Sequence, residues 1–292
     1  MLEKQQRKNK IKRRVKATLA VFFIVLTFAI TYLPFMPSWD TIYAAVGLRE
    51  KTSLDFDPRP LTLSFIDVGQ GDSCFIWTEN TSILIDTGPK GNGQKIVNTI
   101  KSFNVTELDY LIITHQHEDH IGSLEEVKNY LNSNNIEIKN EIIPDETTVM
   151  SDLTITPEED LILEFLGPVC KNDDLNNMSL VIKLTYKNTS VLLVGDAEEE
   201  EELSILRTYG AEKLKSDVLK VGHHGSKSSS SEAFLLAVSP KLAVISVGAA
   251  NDYGHPHAAT LLRLAAVGAT VYRTDECGTI YLSTDGSTIT KK

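Results

Sequence analysis

The stretch THQHEDHIG, residues 114–122, places three of the chain's seven histidines close together, with Asp119 among them. The other four stand as His223 and His224 in VGHHGSK and as His255 and His257 in YGHPH. Histidines scattered through a core or a surface do not gather into three short windows. Imidazole and carboxylate donors at such spacing point to divalent transition ions such as zinc or manganese. His115 and His117 are two positions apart, so an extended or looped segment aims both rings to one side. Asp119 and His120 follow directly, and a turn there aims them at a second point a few ångströms on. Asp196 ends an apolar run just after Gly195, where a carboxylate can bridge two ions.

Outward from this stretch, LDYLIIT (108–114) is a near-continuous apolar run, the pattern of a strand covered on both faces. GSLEEVKNYL (122–131) has helical spacing, so the histidines lie in a strand-to-helix loop, where ligands collect. Upstream, LTLSFIDV (61–68), SCFIWT (73–78) and SILIDTG (82–88) predict consecutive antiparallel strands, and QKIVNTIKSF (94–103) a helix. Downstream, SLVIKLTY (179–186) and SVLLVGD (190–196) predict a hairpin around residues 187–189, followed by a helix over 197–209. The strand SDVLKVG (216–222) runs into His223 and His224. A helix over 232–238, the strand KLAVISVG (241–248), the helix HAATLLRLAAVG (257–268) and the strands VYRTD and GTIYLST complete the chain. A meander that passes into mixed strands and helices predicts an α+β sandwich of sheets covered by helices. The acidic run Glu198–Glu202 is expected to be a solvated first turn that complements the helix dipole.

Hydrophobic residues make up 42% of the chain, enough for a packed core. Cys74, Cys170 and Cys277 lie far apart with no C-x-x-C spacing, so they are expected as buried apolar fillers rather than a zinc knuckle or disulfide framework. Residues 1–16 hold eight basic residues against one acid, and residues 17–36 carry no charge over a length that matches a bilayer core. We therefore expect a basic cytoplasmic tail (1–16), a single transmembrane anchor (17–36), a linker (37–60) and one extracytoplasmic domain (61–292). The competing expectation is a signal peptide cleaved near Tyr43-Ala44-Ala45, which would leave the domain secreted. Of 29 basic and 39 acidic residues, 21 and 38 lie beyond residue 16, a net charge of −17. Such a surface repels polyanions except where metal or a local basic patch reverses the field.

H-x-H-x-D-H in a strand-to-helix loop, preceded by LIDTG and followed by a strand ending in GD, resembles the metallo-β-lactamase superfamily. DVGQGDS (67–73), NNMSLVIKL (176–184), LLVGDAE (192–198), LKVGHHGSKSSS (219–230) and YGHPH (253–257) more narrowly resemble the metallohydrolase domain of ComEC-type competence DNA-uptake proteins. The resemblance covers residues 61–283 and implies an αββα metallo-β-lactamase-type sandwich. It makes His115 and His117 ligands of one ion, Asp119 and His120 ligands of the other, Asp196 the bridge and Asp86 an anchor for the histidine loop. The superfamily's third motif normally adds a histidine between the H-x-H-x-D-H loop and the GD strand, and none stands between His120 and His223. Asn177 and Ser179 stand near that place as weak ligands at best. We therefore expect His223 and His224 each to face one ion.

The expected chemistry is hydrolysis by a metal-activated hydroxide, with Asp119 or the metal-bound environment handling its proton. His255 is expected to bind a phosphate oxygen or protonate the leaving group, and His257 to open the following helix. Ser226–Ser231 and Lys227 are read either as phosphate donors or as a flexible loop. The leading expectation is a phosphodiesterase or nuclease with two divalent ions, DNA among its candidate substrates, and no nucleotide cofactor. The alternatives are a wall phosphodiesterase resembling phosphorylcholine esterases, or a non-catalytic, metal-stabilised binding module. The HHGS loop and the missing third-motif histidine set the chain apart from true β-lactamases.

Overall fold

In a computed structural model, residues 60–292 are described; the expected tail, anchor and most of the linker lie outside the described residues. Among the described residues no helix is long and apolar enough to cross a membrane.

The strands are β1 (Leu61–Phe65), β2 (Cys74–Trp77), β3 (Ser82–Ile85), β4 (Glu107–Ile112), β5 (Glu137–Ile142), β6 (Thr154–Glu158), β7 (Leu161–Gly167), β8 (Val181–Tyr186), β9 (Thr189–Leu193), β10 (Val218–Lys220), β11 (Leu242–Ile245), β12 (Thr270–Arg273), β13 (Ile280–Thr284) and β14 (Ile289–Lys291). The helices are α1 (Gly93–Ser102), α2 (Glu118–Ile121), α3 (Leu124–Ser133), α4 (Glu199–Tyr209), α5 (Ala211–Leu214), α6 (Glu232–Val238), α7 (Ala258–Ala266) and α8 (Thr274–Cys277).

Two seven-stranded sheets form, in the orders β14-β13-β1-β2-β3-β4-β5 and β12-β11-β10-β9-β8-β7-β6. Each begins as an antiparallel meander and turns parallel, at β3/β4 in the first sheet and β9/β10 in the second. A parallel neighbour needs a crossover, and those crossovers supply the covering helices. Phe65, Ile83, Phe165, Leu184 and Val244 belong to a core between the sheets. Two further cores lie under the helices: Ile96, Val127 and Leu131 of α1 and α3 pack on the first sheet, and Ile205, Phe234 and Leu264 of α4, α6 and α7 on the second. The expected two-sheet α+β architecture is present.

Several details differ from expectation. No strand or helix was expected between residues 132 and 178, where β5, β6 and β7 form, nor at β14. The expected strand VYRTD stops at Arg273 because the Thr274 hydroxyl turns aside, accepting from the Val247 N–H at 2.8 Å and donating to the Val247 carbonyl. Only Cys74 is buried; Cys170 and Cys277 are exposed. Glu201 and Glu202 are buried rather than solvated, because the Glu201 carboxylate accepts from the Val169 N–H and that of Glu202 from the N–H groups of Ser230 and Ser231.

Candidate metal centre

Strand β4 delivers Thr114 and His115 to the rim of the sandwich. Asp86, at the end of β3, receives the Thr114 N–H at 2.7 Å, the Thr114 hydroxyl at 2.8 Å and His120 Nδ1 at 2.8 Å. With Nδ1 donating to Asp86, Nε2 is the ring nitrogen of His120 that faces Asp196. His115 Nδ1 lies 3.2 Å from the Ser179 hydroxyl, and its Nε2 faces His117 Nδ1 at 3.0 Å. These two nitrogens converge on one point, as the spacing of the pair anticipates.

The second sheet supplies the opposing groups. Gly195 adopts φ +51°, and a Cβ there would sit 2.9 Å from that of Ser179, so the turn that presents Asp196 requires glycine. The Asp196 N–H donates to the Ser179 hydroxyl at 3.0 Å. Beyond β10, His223 and His224 both take left-handed backbone angles, φ 48° and 50°, a strain of roughly 1–2 kcal/mol each that is typical of functional loops. This turns the two rings apart. His224 is buried, with Nδ1 at 3.0 Å from the Ser246 carbonyl and Nε2 at 3.2 Å from Asp119 Oδ2 and 3.5 Å from Asp196 Oδ2. His223 is part-exposed, with Nδ1 at 3.1 Å from Glu198 Oε1 and Nε2 at 3.7 Å from Asp196 Oδ2.

Donor atoms of Asp119, His120, Asp196 and His224 all lie within 4.8 Å of one another, a candidate metal-binding group. His120 Nε2 and Asp196 Oδ1 are buried and face each other as a charge pair at 3.2 Å, without a well-formed hydrogen bond to each other or to any other group. Orphaned buried polar atoms are costly, and a cation between them would satisfy both, so these residues fit a divalent ion. Asp72, Asp86 and His120 also cluster, but Asp86 is satisfied by Thr114 and His120, and Asp72 Oδ2 pairs with Lys220 Nζ at 2.7 Å. That group frames the centre.

Charge within the cluster is set by the same contacts. Burial alone would push the His224 ring down, but Asp196 and then Asp72 outweigh it and hold it up to about 10. His120 is likewise held well above the ordinary range by Asp196 and Asp86 against its burial. Burial drives His115 well below that range, reinforced by neighbouring His120. Burial opposes ionisation of Asp196, but His224 and His120 keep its carboxyl well below the usual carboxylate range. A cation arriving here takes the place of protons on His120 and His224.

His255 stands behind His223 and His224, its ring centroid 5.6 and 6.4 Å from theirs. Burial and then those two rings hold it down to about 4, so it is neutral at neutral pH. His257 caps α7 and accepts from the Lys227 N–H at Nδ1. Asn177 accepts from the Glu198 N–H and Ser179 braces His115 and Asp196, so the residues near the missing third-motif histidine are committed to support. Residues 229–231 are not a loose loop: they are buried, gripped by Glu202 and by Arg263, which donates to the carbonyls of Ser229 and Ser230. Sequence reasoning missed Asp72, Lys220 and Glu198. The signal for Lys220 was present, since a lysine inside the apolar run DVLKVG demands a buried partner. An open cleft of about 600 Å³ exposes the centre, with His117, Asp119 and His223 on its wall beside Gln70, Asn176 and Tyr253.

Residues 66–249 match the family described as the Metallo-beta-lactamase superfamily. The chain is 34% identical to ComE operon protein 3 of Bacillus subtilis over 75% of its length, and 36% identical to competence protein ComA of Neisseria gonorrhoeae over 73%. It spans about a third of those relatives, 32% and 31% of their respective lengths. Among solved structures, the metallo-beta-lactamase fold protein YhfI of Bacillus subtilis superposes with a TM-score of 0.51 at 10% identity, covering 80% of this chain and 100% of that one, a likeness of fold. The chain belongs to the metallo-beta-lactamase superfamily, and its relatives at about a third identity include competence proteins.

Proposed function

We propose that the protein is a metal-dependent phosphodiesterase acting on nucleic acid, anchored in the membrane by residues 17–36 with its hydrolase domain outside. The observation that carries the reading is the convergence of Asp119, His120, Asp196 and His224, three of which (Asp119, Asp196 and His224) line a cleft of about 600 Å³, room enough for a phosphodiester. Asp119, His120 and His224 would hold one ion and His115, His117 and His223 the other, with Asp196 between them. Divalent ions, zinc or manganese, supply Lewis acidity and an acidified water when bound.

The chain's own residues do the rest. Asp86 and Ser179 fix the His120 and His115 rings, and Glu198 fixes His223 through Nδ1. Asp119 is the part-exposed acid of the four-residue group. Burial opposes its ionisation, but the His224 contact and His120 keep its carboxyl below the usual range, so it stays ionised, able to hold a cation and to orient a water in the cleft by accepting a hydrogen bond. Neutral His255 would hydrogen-bond a phosphate oxygen. The resemblance to competence DNA-uptake proteins favours DNA over a wall polymer.

The test is manganese- or zinc-dependent cleavage of bis(p-nitrophenyl) phosphate and of linear DNA, side by side. We expect cleavage of both, abolished in His117→Ala and Asp119→Ala and reduced about 10–100-fold in Asp86→Asn, which loosens the histidine loop. Cleavage of the small diester alone would move the substrate to wall or small-molecule diesters. Metal binding without turnover on either would make the protein a binding module.

A further inference from the structure

Among the described residues lining the cleft there is no lysine or arginine, while Glu118, Asp119 and Asp196 are there. A polyanionic strand therefore meets positive charge at this wall only where the proposed ions sit, and contacts beyond the scissile phosphate need another source of affinity. Tyr253 lines the same cleft and is 66% exposed, among the largest exposures of any large hydrophobic side chain described. Its ring is near-parallel to that of His255, with centroids 5.6 Å apart and planes at 25°. His255 is itself wedged against His223 and His257, at 5.6 and 4.9 Å. One face of the tyrosine thus rests on the histidine cluster, and the other is left to solvent.

The loop under this ring is held in place. Asn251 Oδ1 accepts from the N–H groups of Tyr253 and His255 at 3.1 and 3.0 Å, and Asn251 Nδ2 donates to the carbonyls of Gly248 and His255 at 2.9 and 2.7 Å. An aromatic side chain exposed on a braced loop loses little further freedom when a ligand arrives. Resting on the reading above as a nucleic-acid phosphodiesterase, we propose that Tyr253 is a stacking platform for an unpaired nucleobase next to the scissile phosphate. A flat ring already stacked on a second flat ring extends naturally to a third. Base stacking tolerates any sequence, and it requires no cationic wall. A base inside a duplex has both faces covered, so the platform selects single strands and frayed ends. A quaternary ammonium group is held by several aromatic faces, and Tyr253 is the one Phe, Tyr or Trp among the described lining residues.

The test is fluorescence anisotropy of the full chain in manganese with two labelled phosphorothioate oligomers of equal length, thymidine and abasic, which carry equal charge. The wild type should prefer the thymidine oligomer by about tenfold or more. Tyr253→Ala should bring the two affinities together by weakening the thymidine oligomer, with Tyr253→Phe keeping the preference. Equal affinities in the wild type, a preference that survives Tyr253→Ala, or displacement of the thymidine oligomer by phosphorylcholine would each overturn the platform. Hydrolysis of bis(p-nitrophenyl) phosphate, read in parallel, separates the two ideas. Turnover without base preference removes the platform alone, and base preference without turnover removes the phosphodiesterase.

Discussion

Lys220 ends β10 with its ammonium buried, 2.7 Å from Asp72 Oδ2 and 3.0 Å from the Val221 carbonyl. Asp72 Oδ1 in turn lies 3.2 Å from His224 Nδ1, so a buried charge pair sits directly behind a candidate metal ligand. Burial opposes the Asp72 charge, but Lys220 and then His224 outweigh it and keep the carboxyl far below its ordinary range. Lys220→Met leaves that carboxylate buried with only the His224 ring to offset its charge. We expect a loss of about 3–5 kcal/mol in urea unfolding, with most of it restored in the double variant Lys220→Met/Asp72→Leu. A single variant as stable as wild type would show that His224 alone compensates Asp72.

Helix α4 divides its glutamates by partner rather than by sequence. Glu198 turns to His223 and to the Ser228 hydroxyl at 2.6 Å, Glu199 and Glu200 face water, and Glu201 and Glu202 go inward. Burial holds the Glu202 carboxyl up to about 7, against the serine N–H groups that favour its charge. A carboxyl raised in the folded state stabilises most below its ordinary 4.5, and that contribution is lost as pH rises through about 7. Glu202→Gln should therefore show a shallower fall in unfolding free energy between pH 4.5 and 7 than the wild type. Equal slopes would mean that Glu202 is charged throughout. The glutamine also gives up one accepted N–H bond from the serine loop, so its stability is lower overall, and the slope is the informative quantity.

At the scale of the molecule, the two sheets each bring the ends of their inner strands to one rim. The first contributes His115–His120 from beyond β4; the second contributes Asp196 from beyond β9 and His223 and His224 from beyond β10. An ion held there ties the halves together, and stability follows metal by mass action. Manganese or zinc added to chelator-treated protein at about 100 times Kd should stabilise it by about 2.7 kcal/mol, read as a rise in Tm, and His120→Ala should remove the rise. A Tm indifferent to metal in the wild type would deny the centre.

Local patterns carried the histidine windows, the order of most strands and helices, and the glycine before Asp196, because each depends on near neighbours along the chain. Strands β5 and β6 escaped because they are sheet edges: EIKNEI and TITPE pair through their backbones and bury few side chains, so no apolar alternation marks them. LILEFLG of β7 did alternate and was legible in principle. Motifs and periodicity were enough for the family, the sandwich and the residue types that meet at its rim. It took the packed fold to turn His224 inward to Asp119 and His223 to Glu198, to set Lys220 against Asp72 across 148 positions of chain, and to bury Glu202. Those choices depend on which surfaces the two sheets bring together, and no short window of sequence contains both sides of such a contact.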